Sequence, residues 1–131
     1  MPTDQYHEPP EELSAETRTF ARMCASLAEE AEAIGWYEQR ISVEPNEVSR
    51  AIMLDSLKEE YKHFSMELEF LFRAKPLWAE IARGVLFQDG DIVANGGAAE
   101  EGAGSGRAPD GAGTSDAPGT LGIGSLKGQG L

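Results

Sequence analysis

Apolar residues recur every three or four positions along two long stretches of this chain, the spacing of amphipathic helices. The first stretch runs from about Ala15 to Ile41, after Ser14, a good N-cap with acidic Glu16 in the turn that follows. Glu44, Pro45 and Asn46 interrupt the pattern, because proline disfavours a helical residue before it and Asn46 can cap the next helix. The second stretch extends from about Glu47 to Lys75. Pro76 ends it and suits the first turn of a shorter helix, roughly Leu77 to Phe87, carrying Trp78, Ile81 and Leu86. The chain therefore reads as all-α: an antiparallel helical hairpin followed by a short C-terminal helix. A lone hairpin leaves its apolar stripes half covered, and pairing with a second copy into a four-helix bundle is the simplest cover.

Polar residues break these stripes at informative places. At about 100° per residue, Met23, Leu27, Ile34, Tyr37 and Ile41 lie within roughly 60° of Glu30, which puts a carboxylate in an apolar seam. Met53, Leu57, Phe64 and Leu71 stand in the same relation to Glu60, and His63 follows Glu60 by three residues on the adjoining edge. Counted from the turn at Glu44, Glu30 and Glu60 lie at matching heights, so the two anomalies form one cluster. Burying such groups is costly unless a cation offsets their charge or hydrogen bonds satisfy them. Two readings fit: a metal site, or a dimeric bundle whose inward polar residues set its register. Glu67, one heptad after Glu60, fits either an outer partner of His63 or a solvated residue.

Ligand counting sharpens the first reading. Four-helix di-iron carboxylate proteins take one Glu from each of two helices and a Glu-x-x-His from each of the other two. Glu30 with Glu60 and His63 supplies half that set, and a two-fold dimer completes it with four carboxylates and two imidazoles for two ions. Mixed carboxylate and imidazole ligation suits iron or manganese better than magnesium or calcium.

Composition separates the two ends of the 131 residues. All ten aromatics precede residue 89, whereas 13 of the 15 glycines follow residue 88. Only the first part can bury a core, which divides the chain into an extended lead-in (residues 1–13), a helical half-bundle (14–88), a flexible Gly-rich linker (89–120) and a terminal peptide (121–131). The net charge of -12 disfavours nucleic acid and anionic membrane as partners. Cys24 is the one cysteine, the start of the chain lacks the apolar stretch of a signal peptide, and no run approaches a membrane span. These features predict a protein of the cytoplasm.

Three segments carry a resemblance: Glu29-Glu30-Ala31-Glu32 with Trp36-Tyr37, then Glu59-Glu60-Tyr61-Lys62-His63, and the tail Leu121-Gly122-Ile123-Gly124-Ser125-Leu126-Lys127-Gly128. Together they resemble the encapsulated ferritins, iron-oxidising cargo of encapsulin nanocompartments, over most of the chain except the glycine-rich linker. The resemblance implies a ferroxidase that oxidises Fe(II) with O2 at a di-iron centre, two ions per dimer, formed across a homodimer interface. It assigns Glu30, Glu60 and His63 as ligands, Glu29 and Glu32 as outer metal-attracting residues, and Tyr37 as a neighbour of the centre. It also implies a ring of five dimers inside the shell, with Leu121, Gly122, Ile123, Gly124, Ser125, Leu126 and Lys127 docking to the shell protein. Asp55 stands where histidine is expected in some relatives. A non-catalytic Mn or Zn module of the same fold, or a helical adaptor targeted to the shell, are the other functions compatible with the pattern.

Overall fold

A computed structural model describes residues 5–104, whose regular structure is all helix with no strand among them. A 3-10 turn, Pro10–Glu12, precedes α1 (Ala15–Val43) and α2 (Glu47–Ala74), and two shorter helices follow, α3 (Pro76–Arg83) and α4 (Ile92–Gly102). The chain divides into two compact units, one ending at Ala74 and one beginning at Lys75. The shell-docking segment predicted at residues 121–127, and the second half of the predicted linker, lie outside the described residues.

The first unit is the expected hairpin. Ser14 caps α1, its hydroxyl oxygen accepting from the Thr17 amide at 3.0 Å. Arg18 then donates to the carbonyls of Pro10 at 3.0 Å and Leu13 at 2.6 Å, which fastens the lead-in to the helix. At the far end the Glu44 carboxylate accepts from the Asn46 amide at 2.9 Å, and Asn46 Oδ1 accepts from the Ser49 amide at 2.9 Å. That pair of side-chain bonds closes a three-residue turn and starts α2, which returns alongside α1. Each helix spans about 40 Å at roughly 1.5 Å per residue.

Packing within the hairpin is thin for helices of that length. No residue of α1 is fully buried, and in α2 only Leu57, Leu71 and Phe72 are. Trp36, Ile52, Tyr61, Met66 and Phe70 are exposed. Long helices draw most of their stability from packing an apolar face, so such a hairpin has apolar surface to spare.

In the second unit, α3 begins at Pro76 and stops at Arg83, four residues short of the predicted end. Turns replace the last predicted turn of helix: Gly84 caps α3, and Phe87 adopts a left-handed conformation with φ of 60°. Gln88 returns to donate to the Arg83 carbonyl. The helix α4 departs from the sequence reading, which makes residues 89–120 a flexible linker. Asp91 caps it, accepting from the Ala94 amide at 2.8 Å, and the Asn95 side chain donates to the Asp89 carbonyl at 3.0 Å. Gly96 and Gly97 each cost roughly 1 kcal/mol in a helix interior, but the helix packs on α3. The contact is close at Gly84, where an added Cβ would lie 2.6 Å from that of Ala99. Among the described residues no helix is long and apolar enough to cross a membrane.

Candidate metal centre

The seam predicted on α1 is the face that turns inward. Met23, Leu27, Glu30, Ile34, Tyr37 and Ile41 are all half-buried, whereas Glu29, Glu32 and Trp36 on the other side are exposed. On α2 the matching stripe holds Met53, Leu57, Glu60, His63, Phe64, Glu67 and Leu71, each half-buried or buried. The antiparallel return brings Glu30 level with Glu60 and His63. His63 Nδ1 lies 3.5 Å from Glu60 Oε1 and 3.9 Å from Glu30 Oε1.

One ligand atom from each of Glu30, Glu60 and His63 falls within 4.8 Å of the other two. Two donors on opposite sides of a first-row divalent ion sit about 4.2 Å apart, given bonds of roughly 2.1 Å, so the three are already at ligating separation. Among the described residues this is the one group of three or more such side chains so placed. Glu29 and Glu32 are not in it. Tyr37 shares the inward face seven residues after Glu30, and the Arg40 guanidinium stacks 5.6 Å from its ring and 5.8 Å from that of Trp36.

Two further carboxylates belong to the neighbourhood. Glu59 Oε1 is 4.0 Å from His63 Nε2, but it is exposed and held at 2.8 Å by Lys62, which keeps its carboxyl below the usual range. Glu67 is the more consequential. It lies within hydrogen-bond reach of Glu30, and the carboxylates within 4.0 Å of the His63 ring are those of Glu30, Glu59 and Glu60. Glu67 therefore neighbours Glu30 and does not reach the His63 ring. Its heptad relation to Glu60 is the signal that marked it in the sequence; which neighbour it meets depends on how the two helices pack.

Crowding of like charges has a measurable consequence. The Glu30 carboxyl is pushed up from its ordinary 4.5 to about 8, first by its hydrogen bond with Glu60, then by burial, then by Glu67. The metal-free fold thus holds a proton that the unfolded chain releases earlier. This contribution to stability is complete below about pH 4.5 and is lost as pH rises towards 8. Thermal melts of chelator-treated protein should show wild type losing stability over that interval relative to Glu30→Gln. Parallel pH profiles for the two would show that no such proton is held. Metal binding displaces the proton, so uptake below pH 8 should acidify a weakly buffered solution.

Comparison with known proteins supplies a context for this geometry. A family model described as EncFtn-like matches residues 5–89. The chain is 42% identical over 123 residues to an encapsulated ferritin-like protein of Rhodospirillum rubrum, covering 94% of this chain and 88% of that protein. It is 45% identical over 89 residues to a ferritin-like protein of Thermotoga maritima, covering 68% of this chain and 78% of the relative. Among solved structures, protein ne0167 from Nitrosomonas europaea superposes with a TM-score of 0.66 at 37% identity, over 68% of this chain and 99% of that one.

Proposed function

The chain belongs to the EncFtn-like family, and on that premise we propose that it is a ferroxidase, oxidising Fe(II) with O2 at a di-iron centre shared by two identical subunits. The observation that carries this reading is the convergence of Glu30, Glu60 and His63 within 4.8 Å on the inward face of the hairpin. One protomer supplies too few donors for two ions. Two protomers related by a two-fold axis supply four carboxylates and two imidazoles, and the four negative charges offset a pair of Fe(II) ions. The exposed apolar residues of the long helices, and the lack of any fully buried residue in α1, fit a hairpin that is completed by its partner.

Iron is the substrate here, and the chain's own groups do three things to it. Glu29 and Glu32, exposed on the outer side of α1, add negative potential that gathers cations. Glu30 gives up its proton to metal, Glu60 adds a second carboxylate, and His63 adds a nitrogen donor. Holding two ions side by side lets both lose an electron to the same dioxygen molecule. Tyr37, on the inward face, would orient a ligand carboxylate. The terminal peptide Leu121 to Lys127 would deliver the protein to an encapsulin shell, the compartment that receives the oxidised iron. The name of the Rhodospirillum rubrum relative, an encapsulated protein, supports residence in such a compartment.

Anaerobic addition of Fe(II) to the metal-free protein, followed by air, tests the chemistry. Fe(III) should form only after air is admitted, and faster than in protein-free buffer. Tight Fe(II) binding with no oxygen-dependent change would leave a sequestering module instead. The same experiment with Zn(II) or Mn(II) bound first should block the reaction if those ions occupy the same ligands.

A further inference from the structure

Glu67 is left unexplained by the three-ligand centre. Its Oε1 is shielded from solvent and has no hydrogen-bond partner among the described residues, a costly state for a carboxylate oxygen. The geometry of the hairpin accounts for where it points. Side chains lean towards the N-terminus of their own helix, so Glu30 on α1 leans away from the turn while Glu67 on α2 leans towards it. The two meet between the heights of Glu60 and Glu67. Once metal has displaced the Glu30 proton, both carboxylates are acceptors only, and a cation between them is what then satisfies Glu67. Among the described residues no basic side chain pairs with it: the ion pairs of α2 engage Glu59 with Lys62 and Glu69 with Arg73.

We propose that Glu67 is a further metal ligand of the centre, one that favours a trivalent ion over a divalent one. The inference rests on the shared metal centre proposed above. Charge decides its direction. Glu30 and Glu60 from two subunits carry four negative charges, which match two divalent ions. Adding one Glu67 from each subunit gives six, which match two trivalent ions. A carboxylate placed beside Glu30 but away from His63 thus stabilises the pair once each iron has lost an electron.

Two redox-inert probes separate this from turnover: Zn(II) for the ferrous state and Tb(III) for the ferric, each titrated into the full-length, metal-free protein. Glu67→Gln keeps the side chain's size, and Glu67→Leu serves as a second variant that leaves no polar atom buried. Both should lower the affinity of the tightest Tb(III) site by about tenfold or more, the scale seen when groups around a metal are removed, and that of Zn(II) by less than about threefold. Glu30→Gln should weaken both ions. If Glu30→Gln weakens both while the Glu67 variants change neither, or change both alike, the role of Glu67 is overturned and the centre stands. If Glu30→Gln itself changes neither, the centre is overturned and the role of Glu67 with it.

Discussion

Glu30→Ala should abolish oxygen-dependent Fe(III) formation while leaving the helices intact. Glu30 is the α1 member of the proposed centre, set against Glu60 and His63 of α2, and among the described residues no other α1 side chain joins that group. Loss of an outer partner typically costs 10- to 100-fold in metal affinity or activity, and loss of a direct ligand should exceed about 100-fold. The accompanying effect on stability has the opposite sign to that of an ordinary core truncation. Removing one of three converging carboxylates relieves repulsion, so the metal-free variant should melt at or above wild type at pH 8 and higher. A glutamate that serves only to set helix register gives the reverse pattern, with stability reduced and metal content unchanged. Stopped-flow oxidation and thermal melts on the same preparations distinguish the two.

Deleting residues 121–131 should remove the protein from encapsulin shells without altering its iron chemistry. Leu121, Ile123 and Leu126 are the apolar anchors of the proposed docking peptide. Each large apolar side chain contributes about 1.5 to 3 kcal/mol when fully buried, so losing three costs more than about a thousandfold in binding. Co-expression with a shell protein, followed by purification of the shells, should recover the full chain and leave the truncated one behind. Ferroxidase rates of the two free proteins should agree, since the proposed ligands lie far back in the sequence at residues 30, 60 and 63. Equal capture of both would place the shell contact elsewhere.

Much of the hairpin was legible because its signals are local. Ser14 and Asn46 act by accepting from nearby amides and Pro45 and Pro76 by their fixed backbone angle, and the helices they bound begin or end within two residues of the expected positions. The inward face was equally readable, since a period of 3.6 residues assigns Glu30, Glu60 and His63 to a seam without knowledge of the partner helix. Glu67 was only half readable. Its angle placed it near the seam, but whether it met His63 or Glu30 depends on the lean of side chains across two antiparallel helices. The helix α4 was hidden for a different reason. Its Asn95-Gly96-Gly97 run argues for a turn, and the opposing terms are the Asp91 cap and the close approach to Gly84, the cap of α3. A tertiary contact outweighed local propensity there. The left-handed Phe87 that ends the α3 region carries no glycine or asparagine to announce it.

Everything proposed for the iron chemistry depends on two subunits enclosing metal that neither holds alone. Native mass spectrometry of the full-length protein, loaded anaerobically with Fe(II), reads subunit number and bound metal in one spectrum. Iron should appear only in species with an even number of subunits, two ions for every pair, and the monomer should carry none. A monomer that retains iron as tightly as the assembled protein would contradict the shared centre.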